Sequence, residues 1–128
     1  MGVAFTSKGF DKTLRLSYSG FSVFRMYIAK SFSKKHGELY SQLLRSFGSV
    51  GNDFYRKWNE DNDEDLDLLL FHSDCDGVIR PKEAKLIYNS LSKLTVDFEG
   101  DDFYKEFYVD FLELLQHSYK RRVLIYFY

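Results

Sequence analysis

The spacing of the hydrophobic residues changes between the two ends of this chain and its middle. In residues 14–18 apolar and polar side chains alternate, and a period of two predicts a β-strand. Residues 3–6 form a candidate partner strand, and residues 122–128, rich in β-branched and aromatic side chains, predict a third. We therefore expect a small antiparallel sheet formed by the N- and C-terminal strands.

Between these ends, apolar side chains recur at the three- and four-residue spacing of an α-helix. The stripes expected to share a helical face are Phe24, Tyr27, Ile28 and Phe32; Leu39, Leu43 and Phe47; Leu66, Leu69, Leu70 and Phe71; Ala84, Ile87, Tyr88, Leu91 and Leu94; and Tyr104, Phe107, Tyr108, Phe111 and Leu115. Residues 52–58 predict one more short helix. Gly37 and residues 48–51 are predicted breaks, Pro81 a helix start, and Asp101 or Asp102 a helix cap.

The length of the chain sets the number of domains that it can form. At 128 residues one hydrophobic core is expected, so we predict a single domain over residues 1–128. Aromatic residues make up 19% of the chain, which predicts an aromatic core, with a ligand-stacking platform as the alternative.

Charge and cysteine content restrict the partners and the compartment. A net charge of −1 argues against a protein that coats DNA, so nucleic acid is not expected as the primary partner. Six carboxylates in residues 59–67 are too dense to be buried and predict a solvated segment. The single cysteine, Cys75, cannot form an internal disulfide, and the apolar stretches are too short to span a bilayer. We expect a cytoplasmic protein without a membrane partner.

The segment His72-Ser73-Asp74-Cys75-Asp76-Gly77-Val78-Ile79-Arg80-Pro81-Lys82-Glu83 has the spacing of a calcium loop between two helices. With Gly77 at position six, Asp74 falls at position three, Asp76 at five, Val78 at seven and Glu83 at twelve. Over about 30 residues this resembles the EF-hand family. The resemblance implies a calcium site in an EF-hand-like helix-loop-helix. Together with the helical stripes and the terminal strands, it predicts an α+β, mainly α-helical fold with the other helices arranged around this unit.

Two residues of the segment depart from the EF-hand pattern. His72 at position one is a nitrogen ligand, and Arg80 at position nine adds a positive charge. The alternative is a turn without an ion, in which the aspartates accept backbone N–H bonds and Glu83 caps the next helix. A zinc site on His72 and Cys75 lacks ligands, and the neighbouring aspartates disfavour a reactive thiolate at Cys75. We do not expect an enzyme.

Three features together resemble a family of small uncharacterised proteins from phages and prophages of Gram-positive bacteria. They are the turn at residues 18–21, the His-Ser-Asp-Cys-Asp-Gly loop before Pro81, and the terminal aromatic strand. In that family a second cysteine often stands where this chain has Ala84. The resemblance implies a non-enzymatic accessory protein in the cytoplasm of a bacterial host cell. It would bind a host or phage protein, for example as an anti-CRISPR-like inhibitor of a defence enzyme, and a homo-oligomer is compatible with this role.

Overall fold

A computed structural model describes residues 2–73 and 77–128 of the chain. In chain order the elements are β1 (Gly2–Ser7), β2 (Leu14–Ser17), α1 (Tyr18–Phe32), α2 (Lys34–Arg45), α3 (Asn52–Asn59), α4 (Glu64–Leu70), β3 (Gly77–Ile79), α5 (Pro81–Ser92), α6 (Asp102–Arg121) and β4 (Ile125–Phe127). The expected mainly helical α+β fold with a small antiparallel sheet is confirmed.

The sheet has the strand order β2-β1-β4-β3, and all three strand pairs are antiparallel. Phe5 of β1 lies opposite Phe127 of β4, so the two ends of the chain are paired as predicted. The fourth strand, β3, was not predicted. It has three residues, which is too short to display a period of two.

One face of the sheet carries the aromatic core. The ring of Phe5 meets those of Phe127, Phe21 and Phe111 edge to face, with centroids 4.6, 5.2 and 5.8 Å apart. Phe21 belongs to α1 and Phe111 to α6, so these two helices cover this face. The buried apolar residues among the described positions form one continuous cluster.

Side-chain caps set several of the helix boundaries. The Ser17 hydroxyl accepts the N–H of Gly20 at 2.9 Å, which makes Tyr18 the first residue of α1 rather than the end of a strand. The Asp101 carboxylate accepts N–H groups at the start of α6, and Pro81 is the first residue of α5, as predicted.

Gly37 does not break a helix, contrary to the prediction from sequence. The chain instead turns between α1 and α2 at Ser33, whose hydroxyl accepts the N–H of His36 at 2.9 Å. Gly37 lies inside α2, where a Cβ atom would come within 2.8 Å of the Lys30 Cα. The glycine is therefore needed for the close approach of two helix backbones.

Asp67 corrects the prediction that the whole acidic segment is solvated. It is partly buried, and its carboxylate accepts hydrogen bonds from Trp58 Nε1 at 3.0 Å and Asn62 Nδ2 at 2.7 Å. Burial raises the pKa of the Asp67 carboxyl, against the lowering effect of these two donors. Asp63 has a different local role, because its carboxylate caps α4.

Candidate functional site

His72 holds the two described ends of the predicted calcium loop together. Its Nε2 lies 2.9 Å from the Val78 carbonyl oxygen, and its Nδ1 lies 2.8 Å from the Ser73 carbonyl oxygen. The imidazole also packs on the ring of Phe127, with centroids 4.1 Å apart. His72, at position one of the loop, therefore contacts the backbone at two other loop positions and packs against the core.

Glu83, the residue predicted at position twelve, binds the backbone at the start of α5. Its Oε1 accepts the N–H of Arg80 at 3.0 Å, and the Arg80 guanidinium lies 3.6 Å from the same oxygen. This is the helix-capping contact of a glutamate three residues into a helix. Arg80, which the sequence placed beside a metal, pairs instead with Glu83.

The calcium prediction stays a prediction, because Asp74, Cys75 and Asp76 lie outside the described residues. In residues 2–73 and 77–128 there is no group of three or more His, Cys, Asp or Glu side chains that could hold a metal ion. Gly77 has a φ of 110°, a backbone conformation that favours glycine, as a sharp turn at position six requires.

Arg25 anchors the end of α4, where the loop begins. This residue of α1 is buried, and its Nη1 donates to the His72 carbonyl oxygen at 2.7 Å. The guanidinium lies 4.0 Å from the centre of the Phe21 ring, a cation–π contact. Nothing in the sequence distinguished Arg25, because its position on the buried side of α1 depends on the packing of α4 against that helix.

An open groove lies beside this anchored loop, between α1, α2 and the end of α4. It has a volume of about 690 Å³. We call it the Phe47 groove, and its main side chains are Ser22, Val23, Leu43, Leu44, Phe47 and Phe71. The sequence did not predict it, because its walls come from three segments that are distant in the chain.

Phe47 is the most exposed large apolar residue in the described part of the chain, at 98%. The sequence placed it on the same helical face as Leu39 and Leu43, and this is wrong. Helix α2 ends at Arg45, and Phe47 has a φ of 54°, so it leaves the helix axis and projects into solvent. Gly48, with a φ of 81°, completes the turn.

Phe71 forms the opposite wall and is held in place from behind. Its exposed fraction is 41%, and its ring meets the buried Trp58 with centroids 5.1 Å apart. Trp58 is in turn fixed by its hydrogen bond to Asp67. The groove therefore combines one fixed aromatic wall with one projecting phenyl ring.

No family model matches the sequence, and neither the curated proteins nor the solved structures that were compared include a match. None of the described helices is both long and apolar enough to cross a membrane.

Proposed function

We propose that this chain is a non-enzymatic accessory protein of a phage or another mobile element, and that it binds a host protein through the Phe47 groove. The observation that carries the proposal is the 98% exposure of Phe47 at the edge of a groove with apolar walls. Burying a phenylalanine side chain contributes roughly 1.5–3 kcal/mol, which the isolated chain does not gain here.

The composition of the groove suits a protein surface. Protein interfaces concentrate their binding energy in a few aromatic anchors surrounded by polar groups. Phe47 and Phe71 are the aromatic pair, and Ser19, Ser22 and Ser73 are polar residues that also line the groove. A partner that presents an apolar pocket for Phe47 would match this arrangement.

The host component is proposed from the resemblance to phage and prophage proteins. That resemblance rests on residues 18–21, the loop before Pro81 and the terminal aromatic strand. The resemblance implies an accessory protein that binds and blocks a host component, and a defence enzyme is the partner class that we propose. A non-catalytic inhibitor needs only a stable interface, which a projecting aromatic residue on a fixed scaffold can provide.

Affinity capture with matched variants tests this proposal. The purified chain, Phe47→Ser and Phe103→Ser are immobilised separately and exposed to a lysate of a Gram-positive host that carries defence systems. Phe103 is the control because it is a 60% exposed phenylalanine at the start of α6 and does not line the groove. We expect a protein that is retained by the native chain and Phe103→Ser but lost with Phe47→Ser.

The retained protein is then purified and its activity is measured with and without each variant. Inhibition by the native chain and by Phe103→Ser, but not by Phe47→Ser, supports the proposal. Equal capture by all three proteins, or none by any, contradicts it. Both substitutions replace exposed side chains, so thermal unfolding should change little and provides the check on folding.

A second candidate function is calcium binding at residues 72–83. The φ of 110° at Gly77 and the helices α4 and α5 on either side support it. Against it, Val78 O and Glu83 Oε1 already have partners within the chain, so an ion would have to displace both contacts. Calcium titration tests this function directly, as set out in the Discussion.

A further inference from the structure

The face of the sheet opposite the aromatic core presents two tyrosines. Along β4, Ile125 and Phe127 are buried, whereas Tyr126 is 45% exposed and Tyr128, which continues the strand, is 57% exposed. Alternation along a strand places both tyrosines on the outer face, about 6.8 Å apart along the chain. Because β4 lies between β1 and β3, these rings occupy the middle of the face.

A hollow lies next to Tyr128 on this outer face. Ala4 of β1 exchanges two backbone hydrogen bonds with Tyr128, at 2.7 and 3.0 Å, and lies opposite Arg15 of β2. The three residues therefore form a row across three strands, with the small alanine in the middle. The hollow around them has a volume of about 390 Å³, which is enough for a planar ring.

Three exposed cations gather at the far end of the same sheet. Ser7 and Ile79 both lie opposite Ile125, so the next residues, Lys8 and Arg80, leave the sheet on either side of β4. Arg122 follows the last residue of α6 and lies three residues before β4 begins. Within the described residues, neither Lys8 nor Arg122 makes an ion pair, whereas the Arg80 guanidinium lies 3.6 Å from the Glu83 carboxylate and would exchange this partner for a phosphate. Folding thus places three positively charged residues that are far apart in the sequence at the same end of the sheet.

The outer face has the charge that a polyanion requires. Its described strand residues are Gly2, Ala4, Thr6, Arg15, Ser17, Val78 and Tyr126, and none of them carries a carboxylate. The dense acidic run lies on α3, α4 and the turn between them, outside the sheet. Although the net charge is −1, the one charged side chain among these described strand residues, Arg15, is positive.

We propose that the outer face of the sheet binds single-stranded nucleic acid, with bases stacked on Tyr126 and Tyr128 and phosphates paired with Arg15, Lys8, Arg80 and Arg122. Aromatic residues on the central strands of a four-stranded sheet are a known way to stack two or three unpaired bases. A duplex keeps its bases stacked on one another, so only a single strand can use both rings. Binding of single-stranded nucleic acid is an activity additional to the proposed function, and it involves no residue of the Phe47 groove.

Fluorescence anisotropy with labelled oligothymidylate and oligouridylate tests the proposal on the full chain. We expect saturable binding at about 50 mM salt that weakens at about 200 mM, because phosphate contacts release counterions. Four phosphate contacts predict a slope of log K against log salt of about −3, and Lys8→Gln should reduce its magnitude by about 0.7. Lys93→Gln, at an exposed lysine at the end of α5, should leave the slope unchanged.

Tyrosine variants separate base stacking from simple charge attraction. Tyr126→Ala and Tyr128→Ala should each weaken binding by roughly tenfold, whereas the phenylalanine variants should retain it, because stacking needs only the ring. Tyr55→Ala is the matched control, since Tyr55 is a 46% exposed tyrosine on α3. If an alanine variant fails to fold, Arg15→Gln, which leaves both rings in place, must still weaken binding.

Duplex DNA and vesicles with anionic lipid are the competing ligands. The proposal would be overturned if the protein bound duplex DNA or the vesicles as tightly as it binds the single strand. It would also be overturned if Tyr126→Ala and Tyr128→Ala bound the oligonucleotides as tightly as the native chain does. A lack of any binding to oligonucleotides at about 50 mM salt, where even non-specific contacts give measurable affinity, would overturn it as well. Preference for the oligouridylate or for the oligothymidylate supports the proposal in either case and identifies the nucleic acid.

Discussion

His72 Nε2 lies 2.9 Å from the carbonyl oxygen of Val78, so a side chain at the start of the predicted calcium loop contacts the backbone at the seventh of its twelve positions. The second ring nitrogen lies near the Ser73 carbonyl oxygen. Since carbonyl oxygens only accept, a neutral imidazole with one N–H can donate to only one of the two. The contacts of His72 with Val78 and with the Phe127 ring link the start of the loop to strand β3 and to the core.

Gly77→Ala should lower the free energy of unfolding by about 1–3 kcal/mol. The φ of 110° is strained for any residue with a Cβ, and that atom would lie 3.2 Å from His72 Cε1. Urea denaturation measures the loss. Gly48→Ala is the control, because φ is 81° there and nothing lies within 4 Å, so about 1 kcal/mol is expected from backbone strain alone. Equal losses in the two variants would mean that the His72 contact has no effect.

Glu83→Ala should destabilise the protein by about 0.5–1 kcal/mol through loss of the cap on α5. Glu83→Gln should change the stability less, because a glutamine oxygen can still accept the Arg80 N–H. Thermal unfolding of both variants beside the native chain measures this. If Glu83→Gln is as destabilising as Glu83→Ala, the charge rather than the hydrogen bond stabilises this helix end.

Calorimetric titration with calcium tests the predicted ligands Asp74, Asp76, Val78 and Glu83. Calcium binding predicts heat with the native chain and none with Glu83→Gln, because the twelfth residue supplies two oxygens in such loops. Magnesium serves as the control ion, since it demands a smaller octahedral site. The absence of heat in both proteins would contradict calcium binding and leave Glu83 with its capping role.

Asp67 should make stability depend on pH in a direction opposite to that of a salt-bridged carboxylate. Its pKa in the folded protein is raised by burial, so the folded state holds this proton more tightly than the unfolded state. As pH rises from about 3.8 through the raised pKa, this group therefore lowers stability.

Asp67→Asn removes this contribution while the side-chain oxygen can still accept the Trp58 N–H. The stability of the native chain minus that of Asp67→Asn, from urea denaturation at several pH values, should fall as pH rises and level off above the raised pKa. Glu64→Gln, at an exposed carboxylate in the first turn of α4, is the matched control and is measured in the same way. A difference that rises with pH would show that the hydrogen bonds outweigh burial.

The helices and terminal strands could be predicted because the information that specifies them is local. The stripes at Phe24 and Phe107, the proline at the start of α5 and the Asp101 cap each act over a few residues. The surfaces that form the candidate sites could not be predicted from the sequence. A helical stripe does not reveal that α2 ends before Phe47, and a glycine in sequence does not distinguish a break from the close helix contact at Gly37.

By itself, the sequence determined the mainly helical composition, the strands at the two ends and the two helices, α4 and α5, that precede and follow residue 77, but not the strand β3 that begins there. Only the tertiary structure decided which residues share a surface, since Ser7 meets Ile125 and Arg25 meets His72 across long separations in the chain. The physical reason is that periodicity and capping depend on neighbouring residues, whereas the Phe47 groove and the outer face of the sheet depend on packing between distant segments.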